Sequence, residues 1–182
     1  MAMDMRLMLL CFQICSTRKI QIQRYVLVTT LLGHETDQVL SCHSQEIDAQ
    51  HSRVADIPSL RLERFKNLRR LCLRQNSVQK IELPPSLAPQ LVELELYDNL
   101  IKHTDGLEAC TALTTLDLSY NKLKHIKHVE NLTKLDHIYF GQNRISRIEN
   151  LESLTNLTYL ELGANRIKEI EGIATLTNLT SL

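Results

Sequence analysis

The sequence predicts an α/β solenoid: stacked right-handed coils with a parallel β-sheet on the concave face and short 3-10 or helical turns on the convex face. Asparagines recur at Asn76, Asn99, Asn121, Asn143 and Asn165, at separations of 23, 22, 22 and 22 residues, and a period of this size is the signature of a repeat architecture. One apolar frame stands around every one of them. Aromatic residues make up only 4% of the 182-residue chain and tryptophan is absent. Leucine and isoleucine therefore have to do the burying, which suits thin stacked layers better than one closed core.

The frame reads leucine, two variable residues, leucine, one variable, leucine, two variable, asparagine. Leu68, Leu71, Leu73 and Asn76 form the first copy, and Leu91, Leu94, Leu96 and Asn99 the second. Leu113, Leu116, Leu118 and Asn121 follow, then Leu135, Ile138, Phe140 and Asn143, then Leu157, Leu160, Leu162 and Asn165. A short strand alternates its side chains, so Leu116 and Leu118 are expected to point inward while Thr115, Asp117 and Ser119 point outward. Each asparagine falls where strand turns into arc. Its amide can bond backbone groups of adjacent coils that would otherwise be buried unpaired.

On the return half of each coil, Val129, Leu132 and Leu135, or Ile173, Leu176 and Leu179, recur near three-residue spacing, which suits a 3-10 or single helical turn. The extra residue between the first two copies coincides with Leu83-Pro84-Pro85-Ser86-Leu87-Ala88-Pro89, read as a local loop because prolines remove backbone donors. Residues 68–182 are thus expected to hold five full copies and the start of a sixth at Leu179 and Leu182, with no C-terminal cap. Residues 47–67 read as a degenerate capping half-repeat. Residues 1–46 are an atypical segment in which Lys19 to Val28 alternates like a strand with no evident partner.

Lys plus Arg (21) balance Asp plus Glu (21), so no overall field draws the chain to nucleic acid or anionic lipid. Neither class of partner is expected. Five cysteines, Cys11, Cys15, Cys42, Cys72 and Cys110, are odd in number and irregularly spaced, which favours a reducing, intracellular compartment over a disulfide framework. The apolar stretch Leu7 to Cys15 has the length of a signal core, but Asp4 and the lone Arg6 make a poor leader. Gln13, Ser16, Arg18 and Lys19 keep it too short to span a membrane. No nucleophile–base pair, enclosed carboxylate pair or phosphate-cradling glycine loop is evident, so the chain is read as non-enzymatic and without a cofactor or metal. His103, His125 and His128 are taken as surface histidines, since no cysteine or carboxylate joins them at a recognised interval. Cys110 stands at an inward arc position and is expected in the core.

The strings Leu71-Cys72-Leu73-Arg74-Gln75-Asn76, Leu94-Glu95-Leu96-Tyr97-Asp98-Asn99 and Leu160-Glu161-Leu162-Gly163-Ala164-Asn165-Arg166-Ile167 make the frame that of a leucine-rich repeat of 22 residues. Over residues 47–182 they resemble the leucine-rich-repeat regulatory subunits of protein phosphatase 1, in their fungal form. Ser59-Leu60-Arg61-Leu62-Glu63-Arg64-Phe65 resembles that family's capping segment. The resemblance implies a non-catalytic subunit, monomeric apart from its partner, that binds the phosphatase catalytic subunit on the concave face. It also implies influence on phosphatase activity or localisation, in the nucleus and cytoplasm. Family members have an acidic leading arm, a longer array and a C-terminal cap, so this chain reads as an N-terminal half.

The outward residue between the paired leucines gives the column Cys72, Glu95, Asp117, Tyr139, Glu161. Its neighbours are Arg70, Glu93, Thr115, His137, Tyr159 on one side and Arg74, Tyr97, Ser119, Gly141, Gly163 on the other. Setting Glu95 beside Asp117 costs folding energy, and tyrosine supplies large rigid contact area with a polar tip. The expected partner-binding residues are Glu93, Glu95, Tyr97, Asp117, His137, Tyr139, Tyr159 and Glu161. Of these, Asp117, Tyr139 and Glu161 match the family's binding face. Lys122, Lys124, Arg144, Arg147, Arg166 and Lys168 collect along one rim, where a solubilising role accounts for them most simply. The competing functional reading is a structural adaptor in a nuclear ribonucleoprotein or cytoskeletal assembly.

Overall fold

The computed structural model describes residues 19–21 and 44–182. Its strands are three residues each: β1 (Lys19–Gln21), β2 (Glu46–Asp48), β3 (Arg70–Cys72), β4 (Glu93–Glu95), β5 (Thr115–Asp117), β6 (His137–Tyr139) and β7 (Tyr159–Glu161). They pair in sequence order as one parallel sheet, and Ser181 adds a single bridge to Tyr159. Strand, arc and return repeat as coils of a solenoid. Among the described residues no helix is long and apolar enough to cross a membrane.

Register carries the frame into the core. Ile47, Leu71, Leu94, Leu116, Ile138 and Leu160 stand opposite one another on successive strands, and all are buried. Leu73, Leu96, Leu118 and Phe140 form a second buried row, and Leu68, Leu91, Leu113, Leu135 and Leu157 a third. The core is therefore a set of leucine columns running through the stack, each coil closing its layer on the next. Burial thins at the last coil, where Leu162, Ile167, Ile173 and Leu179 are only partly covered and Ile170 is 69% exposed.

The convex side differs from expectation in detail. Regular 3-10 turns occur at Pro58–Leu60, Leu62–Arg64 and Ala88–Gln90. Farther on the return half is a chain of single turns closing every third residue: Leu132 N–H donates to Val129 O and Leu135 N–H to Leu132 O, both at 2.9 Å. Leu154 to Leu151, Leu157 to Leu154, Leu176 to Ile173 and Leu179 to Leu176 repeat the pattern. Each apolar residue that anchors the core thus also closes a turn, which is why the spacing is three. The proline segment folds inward, with Leu87 and Ala88 donating to Pro84 O and burying their side chains.

The asparagine ladder is complete over five coils. Asn121 Nδ2 donates to Leu96 O of the preceding coil at 2.9 Å and to Leu118 and Ser119 O of its own, while Oδ1 accepts Ile101 N–H at 3.0 Å. Asn76, Asn99, Asn143 and Asn165 make the equivalent bonds. Immediately before each, Gln75, Asp98, Tyr120, Gln142 and Ala164 take φ between 52° and 56°. A second left-handed position recurs at Gly106, His128, Asn150 and Gly172. At Gly106, with φ 98°, a Cβ would come within 1.9 Å of Ile81 O, so only glycine fits.

Two further differences concern the first coils. The segment expected to be a half-repeat carries its own strand at Glu46–Asp48, pairing with β3, and buries Ala49, Val54, Ile57, Leu60, Leu62 and Phe65. Ser52 stands where later coils have asparagine, and its N–H donates to Asn76 Oδ1. Lys19–Gln21 does have a partner, since it pairs in parallel with Glu46–Asp48. The rest of the Lys19 to Val28 alternation lies outside the described residues, as do Cys11, Cys15 and Cys42.

Candidate protein-docking face

Because the sheet register is even, the outward residues form straight columns. Cys72, Glu95, Asp117, Tyr139 and Glu161 stand opposite one another on β3 to β7, with Arg70, Glu93, Thr115, His137 and Tyr159 beside them. Tyr97 lies just past β4. All eight residues singled out from the sequence therefore share one face, and Ser119 lines it too but at 4% exposure is covered by its neighbours.

Over β2 to β4 the face neutralises itself. Arg70 reaches Glu46 Oε1 at 3.3 Å and Glu93 Oε2 at 3.0 Å. Arg74 Nη1 lies 3.2 Å from Glu95 Oε2, and the same guanidinium sits 4.6 Å from the centre of the Tyr97 ring. Tyr97 in turn meets Tyr120 at 4.8 Å between ring centres. Burial pushes the Glu95 carboxyl above its ordinary value, and Arg74 pulls it part of the way back. Glu95 is thus not bare beside Asp117. The arginine roles were not read from the sequence, although Arg70 and Arg74 stand in its outward columns.

Over β5 to β7 the pattern changes. Tyr159 stacks on His137 with ring centres 5.7 Å apart and meets Tyr139 at a tilt, 5.0 Å away. Asp117 Oδ1 accepts the Ser119 N–H at 2.9 Å, and burial holds its carboxyl above the usual aspartate range despite that bond. Burial likewise raises Tyr139, helped by Tyr159, Asp117 and Glu161. The Glu161 carboxylate lies against Gly141, just past β6, where there is no side chain; a Cβ there would come within 2.6 Å of Oε1. Among the described residues neither Asp117 nor Glu161 makes an ion pair. The arrangement is an aromatic shelf bracketed by two partly desolvated carboxylates.

Other groups that chemistry might use are already engaged. Burial pushes the Cys72 and Cys110 thiols up to about 12, which keeps both protonated and poor nucleophiles. His128 turns Nε2 to Asp105 at 2.9 Å and Nδ1 to Glu108 at 2.8 Å, while Gly106 N–H holds the other Glu108 oxygen. Carboxylates do therefore join this histidine, contrary to the sequence expectation, because the neighbouring coil supplies them. With both ring nitrogens directed at carboxylates, the trio is a clasp between two coils on the convex side.

Comparison with known proteins agrees with the repeat architecture. Residues 133–175 match the family model "Leucine Rich repeats (2 copies)" and residues 112–135 match "Leucine Rich Repeat". "Protein phosphatase 1 regulatory subunit SDS22" of Schizosaccharomyces pombe is 51% identical over 62 residues, covering 34% of this chain and 18% of that protein. Its Saccharomyces cerevisiae namesake is 48% identical over 85 residues, covering 44% and 25%. The matched segments thus span a quarter or less of either relative. Among solved structures, an internalin (inlF) of Listeria monocytogenes superposes with a TM-score of 0.64 at 26% identity, covering 75% of this chain and 39% of that one. A leucine-rich-repeat protein of Leptospira interrogans gives 0.63 at 24%, covering 81% and 44%, which speaks to the fold alone.

Proposed function

We propose that this chain, a leucine-rich-repeat protein, is a non-catalytic regulatory subunit that docks the catalytic subunit of protein phosphatase 1 on its concave face. Its place of action would be the nucleus and cytoplasm. The observation that carries the reading is the shelf over β5 to β7, where the rings of His137, Tyr139 and Tyr159 cluster and neither Asp117 nor Glu161 makes an ion pair among the described residues. Such a surface has a desolvation cost in the free protein, and a partner bringing positive charge and apolar area offsets it. Its two similar relatives, named as regulatory subunits of that phosphatase, supply the partner. Nothing on an open, solvated sheet encloses a reacting centre, so the mechanism is masking or positioning of the phosphatase. Glu93, Glu95 and Tyr97 would extend the contact toward β4.

The test is capture of purified phosphatase catalytic subunit by the immobilised chain, beside the Asp117→Ala, Tyr139→Ala, Glu161→Ala triple variant. Capture by the wild type and its loss in the variant, with circular dichroism unchanged, is the expected result. Equal capture by both would move the interface off the shelf, and no capture by the folded wild type would count against the phosphatase reading for this chain.

A further inference from the structure

Past the ladder asparagines each coil runs on extended, burying alternate residues. Leu123 is buried between Lys122 and Lys124, Ile145 lies between Arg144 and Ser146, and Ile167 packs between Arg166 and Lys168. Backbone bonds of 2.8 Å from Lys122 N–H to Ile101 O, Arg144 N–H to Leu123 O and Arg166 N–H to Ile145 O fasten these segments side by side. Lys122, Arg144 and Arg166 therefore form a column with a coil-to-coil spacing of ~4.8 Å, and Lys102, Lys124 and Lys168 lie in a second column ~6.6 Å along the chain.

Among the described residues none of these six cations makes an ion pair, whereas Arg70, Arg74 and Arg147 all do. Arg147 is tied to Glu171 at 2.7 Å and so stands apart from the rim. Like charges held side by side on neighbouring extended segments oppose folding. Solubility needs charge, but mixed signs serve it equally well. An in-register block of one sign with no counter-ion is thus unexplained by either.

We infer that this rim is a second docking surface, which takes an extended acidic segment of a protein. An extended peptide repeats its side chains on one face every ~6.6 Å, the same step that separates the two columns, so carboxylates on alternate residues meet Lys122 and Lys124, or Arg166 and Lys168. A nucleic acid is disfavoured, because the chain has no net positive charge to draw a polyanion and Asp117 and Glu161 lie on the same coils. The inference does not depend on the phosphatase reading.

The test is fluorescence anisotropy at low salt with a labelled dodecapeptide of alternating glutamate and serine, beside a dodecamer of deoxythymidine, on the full chain. The peptide is expected to bind saturably, to weaken as salt rises, and to lose about tenfold in affinity with Arg144→Glu plus Arg166→Glu. The concave triple variant Asp117→Ala, Tyr139→Ala, Glu161→Ala should leave it within about twofold. Thermal melting controls for folding, and Lys122→Gln plus Lys124→Gln provides a milder rim variant expected to weaken binding in the same direction. Absence of saturable peptide binding, a folded rim variant that binds like wild type, or tighter binding of the oligonucleotide would overturn the inference.

Discussion

Over β2 to β4, Arg70 and Arg74 take up Glu46, Glu93 and Glu95, whereas over β5 to β7 neither Asp117 nor Glu161 makes an ion pair among the described residues, Arg74 acting on Asp117 only from beyond contact, and His137, Tyr139 and Tyr159 fill the space. The scaffold beneath is the same in both places: three-residue strands in unbroken register on buried leucines and isoleucines. What differs is whether the surface satisfies itself. A self-paired region gains little by meeting another molecule, since its salt bridges must be desolvated again, while an unpaired region is relieved by contact. Position on a solenoid face is thus a poor guide to function unless the partners of each charge are followed.

The largest expected effect comes from removing the frame that both halves share. Asn143→Ala leaves Leu123 N–H without its bond inside the stack and Leu118 O with only the Asn121 amide, and should cost about 1–3 kcal/mol, read as a lowered urea midpoint. A change within experimental error would mean that the two regions do not rest on the ladder. Next comes binding: Glu161→Arg should weaken phosphatase binding by about a hundredfold in titration calorimetry, while Glu95→Ala, whose carboxylate Arg74 already holds, should stay within about threefold. Equal losses would erase the distinction.

Arg74→Ala makes the self-paired region resemble its neighbour. It should destabilise the chain by about 1 kcal/mol at neutral pH, because Glu95 and Asp117 then face each other unscreened. The smallest effect runs the other way. Burial raises Asp117 in the folded chain, so the folded state holds its proton more tightly than the unfolded state does. Stability should therefore fall as pH rises from the ordinary aspartate value through the raised one. Asp117→Asn keeps the Oδ1 acceptor for Ser119 N–H, flattens that pH dependence and should raise the melting temperature slightly at neutral pH. A lowered melting temperature would show that the charge stabilises the face.

Most of the architecture was legible because both of its periods are written in side chains: leucines alternating in the strand, and asparagines every 22 or 23 residues. That alternation is also why Glu93, Glu95, Tyr97, Asp117, His137, Tyr139, Tyr159 and Glu161 could be placed on one face without coordinates. The first coil was harder to see because Ser52 replaces the asparagine, although Ile47 stands one coil before Leu71 in register. Left-handed backbone at Gln75, Asp98, Tyr120, Gln142 and Ala164 has no glycine to announce it, since the following asparagine's bonds impose it. The division of the face was hidden because it depends on which way two long arginine side chains lie. Asp105 and Glu108 meet His128 only across a coil boundary.

The ladder's amide bonds between coils join residues 20 to 27 positions apart. No step in assembling the described array then demands that distant parts of the chain find each other. Each step closes a loop of about one coil on an edge already formed, and the entropy lost is much the same every time. Growth of this kind should resemble a zipper, rapid for its length and insensitive to how many coils lie beyond the one being laid down. Pulled from its ends, the molecule should yield in equal increments of one coil, so that extension under force counts the repeats.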